Sequence, residues 1–237
     1  MNLIAACINH HTAPVDVRES LYLHDDEIRN FINDIKGNLL KEGLIISTCN
    51  RTEIYGLPIN PNVTSQDIQN FLVKYKSKNG LGSEFFNHFF SQTALSHLFS
   101  VATGIDSLLI GDNQIFKQVK ESMEISEDTH FTGFLMRRIF DTAIRVGKRA
   151  ITETGISEGA VTVSFAAVQL IEKIFSTLNK KSALVIGAGE TGEIAAKHLA
   201  ERGIGKLSIT NRTNERAEKL AEKLKGKLIP FDSFKEH

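Results

Sequence analysis

The sequence predicts an α/β protein in two parts: an N-terminal α+β domain with a helical extension, then a partial doubly wound parallel sheet. Three observations carry that expectation. Short apolar runs and turn residues open the chain in the order strand, helix, strand, strand, helix, which suits an antiparallel sheet packed by helices. From about Thr93 the apolar residues recur at helical spacing instead. From Ala183 the pattern switches to strand, helix, strand, helix, strand, the alternation of a parallel sheet wound with helices. The expected domains are residues 1–155 and 156–237.

Leu3 to Ile8 is apolar and ends in Asn9-His10-His11-Thr12-Ala13-Pro14, so it reads as a strand and a loop. Asp25 and Asp26 are placed to cap a helix with Ile28, Phe31, Ile32 and Ile35 on one face. Leu44-Ile45-Ile46 is a short buried strand, Glu53-Ile54-Tyr55 returns beside it, and Pro58 and Pro61 mark a loop. Ser65 opens a second amphipathic helix with Ile68, Phe71, Leu72 and Tyr75 in one stripe. Leu95, Leu98, Phe99 and Ala102 form the next stripe, and Ile115, Val119 and Met123 another. A longer helix from near Thr132 to Thr152 carries Arg137, Arg138, Arg145, Lys148 and Arg149 against Asp141, and Gly155 breaks it. A helix from about Val161 to Leu178 follows. Then come a strand at Ala183–Ile186, a helix from Glu190 to Arg202, a strand at Leu207–Thr210, a helix from Asn214 to Leu224, and a third strand at Lys227–Ile229.

The 237 residues suffice for one large domain or two ordinary ones, and 41% hydrophobic with 24% charged residues is a globular balance. Twenty-eight Lys and Arg offset twenty-eight Asp and Glu. That excludes a protein that binds nucleic acid by bulk basicity, so any such binding needs a local patch. No uncharged apolar run approaches a membrane span, and the N-terminus lacks the basic region of a signal peptide. Cys7 and Cys49 have no CxxC spacing, which argues against a disulfide framework or a zinc ribbon. The expectation is a cytoplasmic protein with no membrane partner and no metal site.

Gly187-Ala188-Gly189-Glu190-Thr191-Gly192 is G-x-G-x-x-G between a strand and a helix, the turn of a Rossmann dinucleotide site. Its glycines allow close backbone approach, and the helix N-terminus offers free N–H groups to a pyrophosphate. The alternative is a glycine-rich turn without a ligand. An NAD site usually places an acid after the second strand. Here that strand ends Thr210-Asn211-Arg212-Thr213, so Arg212 offers charge, and Asn211 and Thr213 offer hydrogen bonds, to a 2′-phosphate. NADPH is the expected cofactor, against the alternative of a solvated arginine at a helix start. A full dinucleotide fold needs two such halves and about six strands. Three are present here, and an open sheet edge is a liability, so the chain reads as a piece of a longer protein.

Cys49 lies in Thr48-Cys49-Asn50-Arg51-Thr52-Glu53, directly after a buried strand and beside an arginine, where a thiolate can be stabilised and aimed. The alternative is an inert structural thiol, which is the reading for Cys7 within its apolar strand. A cysteine combined with a hydride donor is the apparatus for reducing an acyl group to an aldehyde through a thioester.

At these residues the chain resembles the glutamyl-tRNA reductase family. Thr48-Cys49-Asn50-Arg51-Thr52-Glu53 is similar to that family's nucleophile motif, and His97 to Ile115, continuing to Gln118-Val119-Lys120, resembles its long signature. The Asn9–Pro14 loop and the Gly187 turn fit as well. The resemblance implies that Cys49 attacks glutamyl-tRNA, that tRNA leaves, and that NADPH reduces the thioester to glutamate-1-semialdehyde, the first step of tetrapyrrole synthesis from glutamate. It implies substrate contacts at Thr48, Cys49, Asn50, Arg51, Ser107, Asp112, Asn113, Gln114 and Gln118, with His97 important near the nucleophile. It also implies a homodimer in full-length members and hand-over of product to an aminomutase. Arg51 suits bidentate pairing with the substrate carboxylate, the alternative being a surface ion pair with Glu53. His97 could stabilise thiolate or carry a proton to the departing ribose oxygen. Asp112 stands where the family usually has Glu, which shortens its reach. The helix carrying Arg137 to Arg149 is a candidate tRNA-backbone surface, or a solvated helix with excess charge. Two other functions compete: a dehydrogenase acting on a free small substrate, and a non-catalytic or esterase-only relative that binds glutamyl-tRNA.

Overall fold

The computed structural model describes residues 2–78, 80–157 and 163–236. The chain divides into two compact units, residues 1–160 and 161–237. In the first, the elements run β1 (Ile4–Asn9), α1 (Val15–Ser20), α2 (Asp25–Ile35), β2 (Leu40–Thr48), β3 (Arg51–Pro58), α3 (Ser65–Tyr75), β4 (Asn87–Phe90), α4 (Gln92–Ala102), α5 (Asn113–Asp128) and α6 (Phe134–Glu153). The sheet order is β2-β3-β1-β4, and each neighbouring pair is antiparallel.

Both faces of this sheet are covered, which is why Leu3 to Ile8 is continuously apolar rather than alternating. Ile4, Ala6, Ile8, Ile45 and Ile54 face a layer made by Ile28, Phe31, Ile32 and Ile35 of α2 and Ile68 and Leu72 of α3. Leu3, Ala5, Cys7, Leu44, Ile46 and Tyr55 face the opposite layer, built from α4, α5 and α6. The helix caps differ from expectation. His24, not Asp25 or Asp26, starts α2, and its N–H donates to the Glu27 carboxylate at 3.0 Å. Thr64, not Ser65, starts α3, and the Asp67 carboxylate accepts from its N–H and hydroxyl at 2.8 Å each. In both cases an acid three residues on satisfies the free donor, so the cap moves one residue upstream.

The second unit contains α7 (Val163–Ile174), β5 (Ser182–Ile186), α8 (Glu190–Glu201), β6 (Lys206–Thr210), α9 (Asn214–Leu224) and β7 (Lys227–Leu228). The start of the helix expected from Val161 lies outside the described residues, and α7 ends at Ile174 rather than Leu178. Three parallel strands lie in the order β5-β6-β7. Val185, Leu207 and Ile209 pack beneath Ala196 and Leu199 of α8 and Ala217 and Leu220 of α9. Alternate residues of β5 point the other way, and Leu184 and Ile186 there remain 38% and 56% exposed. Among the described residues no helix is long and apolar enough to cross a membrane.

Candidate active site

The antiparallel pairing of β2 with β3 runs to Thr48 opposite Arg51, leaving Cys49 and Asn50 as a two-residue turn. Hairpins this tight usually take turns with positive φ, which match the strand twist. Cys49 and Asn50 both keep negative φ. The turn is held by side chains instead. Thr48 Oγ1 accepts from the Asn50 N–H at 3.2 Å. One guanidinium nitrogen of Arg18 donates to the Cys49 carbonyl at 3.2 Å and to Asn50 Oδ1 at 2.9 Å. Cys49 itself is exposed, whereas Cys7 is buried.

Arg18 reaches the turn because the loop before α1 is folded on itself. Asn9 Oδ1 accepts from the His11 N–H at 2.9 Å, and the Asn9 N–H donates to Thr12 Oγ1 at 3.1 Å. Pro14, preset for the first turn of a helix, then starts α1.

Beneath the turn, Arg51, Glu53 and Tyr55 occupy alternate positions of β3 and therefore one face of the sheet, where they make a polar row in an apolar layer. Arg51 is 2% exposed and Glu53 fully buried. Arg51 donates to Glu53 and to the Asp106 carboxylate at 2.8 Å each, and also to the Asp106 carbonyl. Tyr55 donates to Glu53 at 2.6 Å, and His97 Nε2 lies 3.2 Å from the same carboxylate. Burial pushes the Glu53 carboxyl up, but Arg51, His97 and Tyr55 outweigh it and hold it at about 2. Cys7 sits across the strand pair from Glu53, and burial first, then the Glu53 charge, pushes its thiol well up. This corrects the alternative of a surface ion pair. Arg51 pairs with Glu53 in the interior, not at the surface, and Asp106 holds its guanidinium from a second side. The His97 ring stacks on Phe89 at 4.4 Å and bonds to Glu53, so what it touches is the buried row.

Cys7, Glu53 and His97 place their ligand atoms within 4.8 Å of one another. A cation there would face the Arg51 guanidinium, which already holds the shared Glu53 oxygen at 2.8 Å. The cluster is an ion-pair network.

The signature from Gly104 onward closes a loop. Gly104 and Gly111 have φ of 75° and 83°, and the Gly111 N–H donates to the Gly104 carbonyl at 3.0 Å. A Cβ on Gly111 would stand 2.0 Å from the Ile156 carbonyl oxygen, so only glycine fits. Ser107 Oγ is buried with no hydrogen-bond partner. Asp112 starts α5 and accepts from the Gln114 N–H at 3.0 Å. The shorter acid is thus a helix cap through one of its two carboxylate oxygens. Gln114 and Gln118 lie four residues apart on α5, hence on one face, while the side chain of Asn113 lies outside the described residues. On α6, Arg137 pairs with Glu127 at 2.9 Å and Arg149 with Glu153 at 2.8 Å. Asp141 is therefore not the sole acid opposing this helix. Arg138, Arg145 and Lys148 remain exposed.

In the second unit, Gly187 has φ of 108° and its N–H donates to the Thr210 carbonyl at 2.8 Å. A Cβ on Gly192 would meet the Gly187 carbonyl oxygen at 2.0 Å, whereas nothing lies within 4 Å of one on Gly189. The turn is closed on the helix side and open where a phosphate would approach. Thr210 Oγ1 is buried beside it without a partner. Residues present thus fit a dinucleotide. Asn211 braces the turn: Oδ1 accepts from the Ala188 N–H at 3.1 Å and Nδ2 donates to the Thr213 carbonyl at 3.0 Å. Arg212 and Thr213 are exposed.

Sequence reading missed Arg18 and gave Asp106 no role. Arg18 sits on a six-residue helix, too short to display periodicity, and Asp106 lay inside the quoted signature.

Residues 6–154 match the family described as "Glutamyl-tRNAGlu reductase, N-terminal domain", and residues 169–237 match "Shikimate / quinate 5-dehydrogenase". A glutamyl-tRNA reductase of Chlorobium limicola is 45% identical over 241 residues, covering 100% of this chain and 57% of that protein. One from Chlorobaculum parvum is 44% identical, with 100% and 56% covered. The solved structure of glutamyl-tRNA reductase from Methanopyrus kandleri aligns at a TM-score of 0.61 and 32% identity, covering 99% of this chain and 55% of that one. The chain therefore spans a little over half the length of these relatives.

Proposed function

The chain belongs to the glutamyl-tRNA reductase family, and from that premise we propose that Cys49 takes the glutamyl group of glutamyl-tRNA as a thioester, which is then reduced to glutamate-1-semialdehyde for tetrapyrrole synthesis. The observation that carries this reading is the exposed Cys49 on a turn braced by Thr48 and Arg18.

The Cys49 thiol gives up its proton, and its sulfur adds to the ester carbonyl carbon. The bond from that carbon to the ribose oxygen breaks, the oxygen takes a proton, and free tRNA leaves with the glutamyl group held on sulfur. His97, fixed by Glu53 and Phe89, is the proposed proton carrier. Thr48, Asn50, Ser107, Gln114 and Gln118 are the proposed polar contacts of the glutamyl group and the tRNA end, with Arg51 fixing Asp106 beneath them. A thioester carbonyl is less stabilised by resonance than an oxygen ester, which makes it the better hydride acceptor. NADPH, when bound, supplies that hydride. The turn Gly187–Gly192 would hold its pyrophosphate, and Arg212 and Thr213 its 2′-phosphate, with residues 156–237 as the nucleotide domain and 1–155 as the catalytic domain. Exposed Arg138, Arg145 and Lys148 offer a local basic surface to the tRNA backbone despite the chain's zero net charge. A whole family member, on this reading, is a cytoplasmic homodimer that passes its product to an aminomutase.

The test is glutamyl-tRNA labelled in the amino acid: label should move to protein in a form released by hydroxylamine. Label appearing only as free glutamate would leave an esterase, and no transfer at all would overturn the proposal. Two variants test the cofactor assignment by fluorescence titration. Gly192→Ala forces the Gly187 carbonyl to move and should weaken NADPH binding by about tenfold or more, each factor of ten being about 1.4 kcal/mol. Arg212→Asp should cut the preference for NADPH over NADH by about tenfold. An unchanged preference would assign the 2′-phosphate to another residue.

A further inference from the structure

We infer that Arg18 is the positioning residue of the Cys49 turn and that its charge holds an anionic oxygen of whatever group is delivered to that cysteine. The inference rests on the reading of Cys49 as the acceptor and adds to it the device that aims it.

Three observations carry it. The turn has the negative φ values that a tight hairpin disfavours, so its shape depends on tertiary contacts. Arg18 supplies two of them through a single nitrogen, to the Cys49 carbonyl and Asn50 Oδ1. Both acceptors are neutral oxygens, and among the described residues Arg18 forms no ion pair. Arg51 is the contrast: buried Glu53 neutralises it, and the partly exposed Asp106 adds a second carboxylate. The uncompensated cation beside the nucleophile is therefore Arg18.

Orphaned polar atoms occur in segments that meet around this turn. Among the described residues, buried side-chain atoms without a partner are His10 Nδ1, Arg18 Nε, Ser107 Oγ, Thr132 Oγ1 and Thr210 Oγ1. The first three belong to segments at this turn: His10 lies in the loop leading to α1 and feels the charges of Arg18, Arg51 and Asp106, and Ser107 follows Asp106. Buried donors without partners are costly, and an incoming ligand can complete their bonds. Arg18 Nε and Ser107 Oγ are donors suited to a carboxylate or oxyanion oxygen.

That oxygen has two sources, the side-chain carboxylate of the acyl group and the oxyanion formed when sulfur adds to the carbonyl. The experiment separates them, and its first arm needs no tRNA. Cys49 in the full chain is alkylated near neutral pH with iodoacetate and, separately, with iodoacetamide, and the ratio of rates is taken. Arg18→Gln should lower that ratio by about threefold or more at low salt, an effect that fades at high salt. A merely structural change at the turn would alter both rates together and leave the ratio alone, and that result overturns the inference. Arg18→Lys keeps the charge without the two-acceptor hold, so the ratio should be retained while acyl transfer slows. The second arm compares glutamyl- and glutaminyl-tRNA as donors. Loss of the preference for glutamyl in Arg18→Gln assigns the side-chain carboxylate, and equal slowing of both at unchanged KM assigns the oxyanion. If the unaltered chain accepts from neither tRNA, the proposed function fails while the alkylation ratio still decides the role of Arg18.

Discussion

A Cys49→Ser chain should acquire no glutamyl adduct from glutamyl-tRNA, where the unaltered chain acquires one, as read by intact mass. A free thiol near neutral pH is about a few per cent thiolate, and a serine hydroxyl without an activating base is essentially none. The loss should therefore be complete within detection rather than graded. Cys7→Ala is the informative control. Its thiol is buried against Glu53 with burial pushing it well up, so it has neither access nor thiolate character. The adduct should persist in Cys7→Ala. Comparable acylation of Cys49→Ser would remove Cys49 from the reaction and leave the alkylation ratio alone to decide the role of Arg18.

Much of the fold was legible because the signals were local. The glycine-rich turn between an apolar strand and an amphipathic helix marks β5–α8 within a dozen residues, and the stripes of α2, α3 and α5 repeat over several turns. What escaped was short or hidden by tertiary pairing. Helix α1 has six residues with none buried, and β4 has four, with His88 and Asn87 between phenylalanines. Neither is long enough to set a period. The edge position of β4, hydrogen-bonded to β1 only, is a long-range fact that no window of sequence contains.

The site was legible in its identities and not in its connections. Cys49, Arg51, His97 and the loop at Ser107 were all recognisable as chemistry-bearing residues. Spacing on β3 puts Arg51 and Glu53 on one face, but whether that face meets solvent or α4 depends on the packing of a helix more than forty residues away. Hence the sequence could not show that Arg51 is buried and paired with Glu53 and Asp106. The same limit explains Asp112 and Asn211. Each was read as a ligand contact from its position in a motif, and each makes a local bond that shapes the motif itself.

The buried row at Glu53 should dominate the stability of the first unit. Glu53→Gln keeps the shape but leaves one acceptor oxygen where Arg51 and Tyr55 now bond to different oxygens, and it removes the charge that, with Asp106, compensates a guanidinium 2% exposed. Removing one partner of a buried pair typically costs about 3–5 kcal/mol, of which Asp106, 2.8 Å from Arg51, should recover part. An expected loss is therefore about 3 kcal/mol, read from urea unfolding near neutral pH. The pH dependence carries the same argument with its sign fixed. The ordinary carboxyl titrates near 4.5 and the folded one at about 2, so the unfolded chain binds the proton first as acid is added. Stability from this group is complete above about 4.5 and is lost as pH falls from there towards 2. In Glu53→Gln nothing titrates at that position, and the slope of stability against pH across this window should flatten relative to the unaltered chain. Arg51→Met makes the opposite case, because burial then acts on Glu53 without the guanidinium, and the carboxyl should move up and begin to lose its charge nearer neutrality. Equal urea midpoints for Glu53→Gln and the unaltered chain, with parallel acid profiles, would mean that the row contributes no net stability and is kept for holding His97 and Asp106 in place.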